Sequence, residues 1–452
     1  MKKIRIGSGA GYAGDRIEPA VELIEKGNLD YIIFECLAER TVAIGQQDKE
    51  KDPSKGYNQL LDYRMEKILP LMAKNKVKVI TNMGAANPVS AAERTCEIAR
   101  KLGVGGLKIA CVTGDDITDE LDKYENEKVL EDGTLLKEKK DVLISANVYM
   151  GAEGITKALE EGANLVITGR VSDPALTIGP LVHEFGWNID DNPDQMGQAV
   201  LAGHLLECGG QGAGGNYMYD WRNVPRMDEL GFPIAELTDD TFEITKAPDC
   251  GGIICEQSCK EQFLYEVHDP ANYLTPDVNV DISHATITQV GDNRVRIGGV
   301  KGKPRPDTLK LCVGYHKGWK TVSMLSFAWP DAYEKAQYCA EVIMKKMQRR
   351  GMKADDIHIS YIGLNSLHLG VADMSEEALK NLNECVLRIA VFSEDKSECA
   401  KIIPEISPLQ LNGPPGASFF GGRARVQEVM ALWPTTVPRD AVQVESHILE
   451  VK

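Results

Sequence analysis

Residues 1–185 alternate short apolar runs with amphipathic helical patterns, and this alternation limits the fold more than any other feature. It is typical of βαβ units, in which helices cover both faces of a parallel sheet. The predicted strands are Ile4–Gly7, Tyr31–Glu35, Val77–Asn82, Lys108–Val112, Val142–Ala146 and Leu165–Thr168. The predicted covering helices are Glu18–Lys26, Arg64–Lys74, Val89–Leu102 and Gly154–Glu161. We therefore predict an α/β fold with a mostly parallel, Rossmann-like sheet.

The hydrophobic pattern changes after about residue 235, so we predict three regions: a parallel α/β domain (1–235), an antiparallel β-rich segment (236–330) and a smaller mixed α/β region (331–452). The period-two alternation that indicates antiparallel strands occurs in Ala285–Gly298, Leu309–Tyr315 and Thr321–Phe327, with turns at Gly-Asp-Asn and Gly-Trp. The last region carries the patterns of a helix over Asp331–Arg350, a strand near Asp356–Gly363 and a further helix from Glu376.

Composition and charge argue against several classes of partner. No apolar run reaches the roughly 18 residues that span a bilayer, and the start of the chain lacks a signal-peptide pattern, so we expect a cytoplasmic protein that does not bind membranes. The net charge of −16 would repel a phosphate backbone, which argues against nucleic acid. The eleven cysteines are scattered along the chain, which favours reduced thiols.

In an open parallel sheet, ligands bind beyond the carboxyl ends of the strands. Polar or glycine-rich turns follow each predicted strand, at Gly7–Asp15, Glu35–Arg40, Asn82–Asn87, Thr113–Asp116, Asn147–Gly154 and Thr168–Asp173. We expect these turns to share one edge of the sheet. One cleft should then be surrounded by Gly9, Asp15, Glu35, Asn82, Asp115 and Arg170.

The first turn has the order and spacing of a dinucleotide fingerprint, because Gly9-x-Gly11-x-x-Gly14 follows a strand and Glu35 closes the next strand. Asp15, however, is predicted in the first helical turn, where its carboxylate would occupy the positive helix end that a phosphate needs. Nicotinamide binding is one interpretation, and a loop that shapes a different polar site is the other. Strand–helix packing would explain any single glycine, and an ordinary helix start would explain Asp15.

Carboxylates, arginines and amides accumulate at these strand ends, as acid–base chemistry on a carboxylate or thioester would require. The predicted catalytic residues are Asp15, Glu35, Asp173 and Glu207. The predicted carboxylate binders are Arg16, Arg40 and Arg170. Further predicted substrate contacts at this edge are Gly9, Gly11, Asn82, Asn87 and Asp115, together with Gly84 and Ala85 as backbone donors to an oxyanion.

A second glycine-rich segment, Glu207–Asn216, follows an apolar helix. A helix stop explains one or two of its glycines, but it does not explain five glycines beside a Glu and a Cys. Such a loop can direct backbone N–H groups at an oxyanion or let a ligand lie against the main chain. The predicted substrate contacts here are Gly209, Gly210, Gln211 and Gly212.

Two other clusters carry less information. The segment Cys250-Gly251-Gly252-x-x-Cys255-x-x-x-Cys259 fits no zinc or iron–sulfur spacing, and His183 and His204 are expected to pack on helices, so we predict structural thiols and no metal site. No cofactor is identified. The loop Leu411–Arg423 is either a structural crossover or a ligand loop in which Asn412, Arg423 and Arg425 contact an anionic group.

With these motifs assembled, the sequence resembles the acyclic terpene utilization family, the AtuA-type proteins, over essentially its whole length. The motifs that carry the resemblance are the opening Gly-Ala-Gly-Tyr-Ala-Gly-Asp-Arg, Thr168–Pro174, Glu207–Gln211, Leu411–Arg423 and Val426–Val429. The resemblance implies a place in the catabolism of branched acyl-CoA or carboxylic acids, near hydration or cleavage of a 3-hydroxyglutaryl-type thioester. It also implies a small ferredoxin-like partner subunit, because longer members append such a domain.

We therefore predict a lyase or hydratase that acts on a carboxylate-bearing branched small molecule, free or CoA-linked. We expect a homo-oligomer. One alternative is a nicotinamide-dependent oxidoreductase that uses Gly9, Gly11, Gly14 and Glu35. The other alternative is a non-catalytic subunit that binds an acyl-CoA together with the small partner.

Overall fold

A computed structural model describes residues 2–239, 241–364, 366–368 and 370–452, with the backbone alone for Lys139 and Lys140. The chain divides into two compact units. The first unit comprises Met1–Gly314 and Leu432–Lys452, and the second comprises Tyr315–Ala431.

The strands are β1 (Ile4–Ala10), β2 (Tyr31–Phe34), β3 (Lys78–Thr81), β4 (Lys108–Thr113), β5 (Leu143–Val148), β6 (Leu165–Thr168), β7 (Pro233–Leu237), β8 (Phe242–Lys246), β9 (Tyr273–Leu274), β10 (Asn279–Asp281), β11 (Thr286–Gly291), β12 (Arg294–Gly298), β13 (Lys301–Lys303), β14 (Thr308–Ala328), β15 (Asp356–Ile362), β16 (Glu384–Ser393), β17 (Ser418–Phe419), β18 (Val426–Pro438) and β19 (Glu445–Glu450). The α-helices are α1 (Glu18–Lys26), α2 (Glu39–Lys51), α3 (Leu61–Asn75), α4 (Pro88–Lys101), α5 (Glu153–Glu160), α6 (Ala175–Phe185), α7 (Pro193–Glu207), α8 (Glu256–Leu264), α9 (Ala332–Arg349), α10 (Glu376–Lys380), α11 (Lys396–Ala400), α12 (Ile403–Ile406) and α13 (Leu409–Asn412).

The first unit is built around one mixed sheet with the strand order β11-β12-β8-β7-β1-β2-β3-β6-β4-β19. Its central strands β1, β2, β3, β6 and β4 pair in parallel, with Ile32 opposite Val79 and Ala110 opposite Val166. The outer strands pair antiparallel. The parallel sheet predicted from the first 185 residues is therefore confirmed.

Helices cover both faces of this sheet, as predicted. Side chains alternate along a strand, so neighbouring residues of β2 enter different cores. Ile32 packs in one core with residues of α1, α3 and α4, whereas Ile33 packs in the other with residues of α5, α6 and α7. Helix α1 has the bounds that the sequence predicts. Pro19 lies in its first turn and Lys26 in its last turn, where each residue type is favoured.

Strand β5 lies outside the parallel sheet, which corrects one prediction. It pairs with β14. The position beside β4 is occupied by β19, whose Ile448 lies opposite Ala110. Between β4 and β5 the chain forms short 3-10 turns and no α-helix, so the connection that returns a strand to a parallel position is missing.

The predicted turn at Gly-Trp is also wrong, because β14 runs without interruption through Gly318 and Trp319. Trp319 lies opposite Ser393 in the ladder with β16, so pairing along the neighbouring strand holds this segment extended. The antiparallel pairing predicted around it is confirmed. Helix α8 interrupts that region.

The second unit contains an antiparallel sheet with β16 between β15 and β14. Leu387 of β16 lies opposite Leu325 and Tyr361, and this sheet packs against Ala336 and Ile343 of α9. Within the described ranges, no helix is both long enough and apolar enough to cross a membrane.

Candidate functional site

A polar cavity of about 800 Å³ lies in the first unit, at the carboxyl ends of the parallel strands. Its walls come from the turns after β1, β2, β5 and β6, the end of α7, the segment from α8 to β9, and the start of β14. The lining residues are Gly11, Glu35, Leu37, Ala38, Glu39, Tyr149, Arg170, Asp173, Glu207, Cys208, Tyr265, Glu266, His268, Asp269, Asn272, Tyr273, Leu274 and Lys310. This volume is in the range of small-molecule sites.

Glu35 is a buried acid in the cavity wall, because it directly follows the fully buried strand β2. Its Oε1 accepts hydrogen bonds from Leu37 N at 2.8 Å and from Asn82 Nδ2 at 3.0 Å. Burial raises the pKa of Glu35 to about 8, with a contribution from the Asp173 charge that outweighs the opposing effect of Arg170. The raised pKa favours the protonated form of Glu35, which can donate its proton.

Glu207 forms a buried pair with His204, one turn earlier on α7. The distance from Glu207 Oε1 to His204 Nδ1 is 2.8 Å. Burial raises the pKa of Glu207, and the Glu207 charge raises the pKa of His204 although burial opposes this. Glu207 Oε2 and His204 Nε2 have no hydrogen-bond partner in the part of the chain that the structure describes. The pair can therefore hold or accept a proton, and the second carboxyl oxygen of Glu207 is buried without a partner among the described residues.

Arg170 is a buried cation held from two sides. Its guanidinium donates to Leu37 O and, at 2.5 Å, to Asp173 Oδ1, and it lies 4.1 Å from the centre of the Tyr149 ring. Its backbone N donates to Asp115 Oδ2 at 2.9 Å. Burial opposes the charge, but Asp173 and its neighbours raise the pKa of Arg170. Arg170 thus stays cationic and fixes Asp173 at the cavity.

Lys310 and Tyr149 converge on Glu39 in the same wall. Tyr149 Oη donates to Glu39 Oε1, and Lys310 Nζ lies 3.1 Å from the same oxygen. Burial opposes ionisation, but the Tyr149 hydrogen bond, a backbone hydrogen bond and the charges of Lys310 and Arg170 lower the pKa of Glu39 to about 2. Lys310 keeps 44% of its side chain exposed, which makes it more accessible to an anionic ligand than the buried Arg170.

Several predicted substrate contacts lie behind the wall. Asn82 Oδ1 accepts from Cys36 N at 2.7 Å, and Ala85 N donates to Asn82 O at 3.2 Å. A Cβ on Gly84 would lie 2.5 Å from Thr168 O. Asn87 caps α4, and Asp115 accepts from Asn147 Nδ2 as well as from Arg170 N. None of these five predicted contacts lines the cavity: Asn82, Gly84, Ala85, Asn87 and Asp115.

The first glycine-rich turn is used for close packing. Gly9 lies inside β1, and a Cβ there would be 2.7 Å from the Phe34 ring. A Cβ on Gly11 would lie 2.6 Å from Cys208 O, because the two glycine-rich segments touch through their backbones. Gly11 nevertheless lines the cavity.

Asp15 lies before the helix, which corrects the prediction that it belongs to the first helical turn. Helix α1 begins at Glu18, where Pro19 favours a helix start. Asp15 Oδ2 accepts from Gly11 N at 2.8 Å, and Oδ1 accepts from Arg16 N at 2.9 Å. The N–H of Gly11 is thereby occupied, whereas a dinucleotide pyrophosphate needs free donors at a helix start. Asp15 does not line the cavity. Its catalytic role stays a prediction.

The second glycine-rich segment contributes its first two residues to the cavity, Glu207 and Cys208. Residues Gly209–Ala213 form a 3-10 turn, and Gln211 N already donates to Cys208 O. The Gln211 side chain bonds Gln262 and Asn216. A Cβ on Gly210 would lie 2.9 Å from the Leu230 side chain, and a Cβ on Gly212 would lie closer still to Leu205 O, so both glycines allow close packing.

The remaining predicted anion contacts lie elsewhere. Arg16 donates to Leu230 O, and Arg40 is exposed on α2; neither lines the cavity. Asn412, Arg423 and Arg425 are exposed residues of the second unit. Their roles in substrate binding stay predictions.

The three cysteines Cys250, Cys255 and Cys259 pack in the interior or cap a helix. Cys250 and Cys259 are buried, and the sulfur of Cys255 caps α8 by accepting from Ser258 N. Over the described ranges, no three His, Cys, Asp or Glu side chains are grouped so as to hold a metal ion.

Sequence reasoning missed the cavity residues Tyr149, Tyr273 and Lys310, and it treated His204 as an ordinary packing residue. Lys310 lies in a segment whose sequence shows only the alternation of apolar and polar residues that is typical of a strand. Tyr273 belongs to a strand of two residues, which is too short to show a pattern. The i, i+3 spacing of His204 and Glu207 on a helix was the one available signal.

Comparison with known proteins gives one family. The family model described as acyclic terpene utilisation family protein AtuA matches residues 4–448. No curated protein and no solved structure gave a significant match. The family match includes the cavity residues and extends through the second unit.

Proposed function

The chain belongs to the AtuA family of acyclic terpene utilisation, and on this basis we propose that it is a lyase or hydratase acting on a carboxylate-bearing branched molecule, free or CoA-linked. One observation carries the proposal. Two buried carboxyl groups, Glu35 and Glu207, face the same cavity, and burial raises the pKa of each. Such shifts prepare carboxyl groups for proton transfer near neutral pH.

Elimination of water beside a carbonyl requires a base, an acid and a stabiliser for the enolate oxygen. The Glu207–His204 pair removes the proton from the carbon next to the carbonyl. Protonated Glu35 donates its proton to the leaving hydroxyl as the C–O bond breaks and the C=C bond forms, which releases water. Lys310, held beside Glu39, binds the substrate carboxylate or the enolate oxygen.

Charge in the cavity limits which part of a thioester can enter it. Carboxylates in the lining outnumber the cations Arg170 and Lys310. The phosphates of a CoA thioester would be repelled, so they lie outside the cavity while the acyl part lies within. Homo-oligomerisation and a small ferredoxin-like partner belong to the proposal and call for assays with and without that partner.

The test is a turnover assay with a 3-hydroxyglutaryl thioester branched at carbon 3, and with its free acid. Glu207→Gln should lower turnover by about 10²–10⁴-fold, as expected for a lost proton-transfer group, while the melting temperature changes little. Glu160→Gln, an exposed glutamate on α5, is the matched control. Binding of the thioester without any turnover by the wild-type protein, with the partner present, would contradict the lyase assignment and support a binding subunit.

A further inference from the structure

A second, smaller chamber of about 350 Å³ adjoins the polar cavity in the first unit. The two share Tyr149, Asp173, Tyr273, Leu274 and Lys310 in their linings. A ligand that reaches the carboxyl groups of the polar cavity therefore lies next to the mouth of this side chamber.

The side chamber differs from the polar cavity in chemistry. Apolar side chains make up much of its wall, namely Leu130, Pro174, Leu274, Pro276, Pro306 and Leu309. Such a wall contacts hydrocarbon favourably and offers little to a charged group.

Two hydrogen bonds, one of them between backbone groups, hold the chamber wall at Leu130 in place. Leu130 lies in a turn whose N–H donates to Pro434 O at 2.9 Å. Thr435 Oγ1 donates to Lys128 O at 2.7 Å, on the other side of the same turn. The turn is therefore attached to the end of β18 and presents Leu130 at a fixed position.

Two observations indicate that the chamber accepts a ligand. Leu130 and Leu274 keep 64% and 62% of their surface exposed, although both line a concave space. Apolar side chains that stay exposed on a concave surface are available for contact with an apolar ligand. In addition, the hydroxyl of Ser172, which is 6% exposed and lines the chamber, has no hydrogen-bond partner among the described residues. A substrate oxygen near Asp173 would provide that partner.

We propose that the side chamber binds the hydrocarbon end of the substrate while its carboxylate or carbonyl end lies in the polar cavity. This inference rests on the proposed function and adds the place of the substrate's hydrocarbon part and a limit on its length. A volume of about 350 Å³ is at the small end of ligand sites, so a long fatty chain is excluded.

The experiment is calorimetric titration of the whole chain with saturated 3-methyl-branched carboxylates of increasing length. Each added methylene should lower Kd about three- to fourfold until the chamber is full, after which Kd levels off. Leu130→Asn and Leu274→Asn should each remove most of this length dependence. Leu130→Asn, which changes a residue of the side chamber alone, should also leave the shortest carboxylate bound as in the wild type. Leu264→Asn is the matched control, because Leu264 is 58% exposed and lies outside both cavities.

The outcomes separate this inference from the proposed reaction. A Kd that does not change with chain length, or an equal loss in Leu264→Asn, would overturn the chamber assignment even if turnover is found. Length-dependent binding that is abolished by the two chamber substitutions would support it even if Glu207→Gln and wild type prove equally inactive. Continued tightening well beyond the chamber volume would also overturn it, because the chain would then bind elsewhere.

Discussion

The carboxyl groups at strand and helix ends fall into two sets: those that line the cavity and those that lie in the turns behind its wall. Glu35 and Glu207 line the cavity, and Glu207 keeps one oxygen without a partner. Asp15 and Asp115 do not line the cavity; they accept hydrogen bonds from the backbone N–H groups of Gly11, Arg16 and Arg170, as Glu35 does from Leu37 N. In sequence, three of the four look alike, as carboxylates in the turn after a strand.

The difference teaches that a raised pKa alone does not identify a catalytic acid. Burial raises the pKa of Asp115 to about 6, yet Asp115 does not line the cavity and its Oδ2 is bonded twice. What distinguishes Glu35 and Glu207 is access to the space where a substrate can lie. The cavity carboxyl groups should therefore govern turnover, and the turn carboxyl groups should govern stability.

The sharpest test of this comparison is Glu35→Gln. The amide keeps an oxygen to accept from Leu37 N but has no proton to donate as an acid. We expect turnover to fall about 10²–10⁴-fold while the melting temperature does not fall below that of the wild type, both measured on the same sample. Full turnover in Glu35→Gln would remove this residue from the mechanism.

The stability of Glu35→Gln should also differ from wild type in its pH dependence. The pKa of Glu35 is raised from 4.5 to about 8, so the stabilisation of the folded state by protonated Glu35 is complete below pH 4.5 and is lost as pH rises through about 8. Relative to Glu35→Gln, the wild type should lose about 1.4 kcal/mol of unfolding free energy for each pH unit between about 4.5 and 8. Urea unfolding of both proteins between about pH 5 and 8 measures this. Parallel stability curves would show that Glu35 is ionised when folded.

Gly11→Ala tests the contact between the two glycine-rich segments. A Cβ at Gly11 would lie 2.6 Å from both Cys208 O and Gly209 N, and backbone atoms cannot move aside cheaply. We expect a loss of about 1–3 kcal/mol in unfolding free energy. The control is Gly105→Ala, which meets no atom within 4 Å and should stay within about 0.5 kcal/mol of wild type. Equal stabilities would mean that the segments are not in contact.

Asp15→Asn should have the smallest effect. In contrast to Glu35→Gln, it should lower stability and leave turnover unchanged. Asn can keep only one of the two backbone hydrogen bonds with its single oxygen, so we expect a loss of about 1–2 kcal/mol in stability with turnover retained. Thermal unfolding and turnover are measured together. A hundredfold loss of turnover at an unchanged melting temperature would instead support the prediction that Asp15 is catalytic.

Much of the site could be located from sequence, but not the role of each residue. The rule that ligands bind at the carboxyl ends of parallel strands led to Glu35, Arg170 and Asp173, which line the cavity. The same rule gave Asn82 and Asp115, which lie behind them. Side-chain direction at a turn depends on contacts with other turns, such as Asn82 with Glu35, and one chain segment does not encode those contacts locally.

The sequence by itself determined the strands, helices and turns of the parallel region, because apolar periodicity is a local property that burial on one face imposes. Only the tertiary structure decided that β19 occupies the place beside β4 and that β5 leaves the sheet. It also decided that Lys310 reaches Glu39 across 271 positions of sequence. Strand order and long-range side-chain pairs depend on which surfaces compete for the same edge, and that competition is settled only when the whole chain packs.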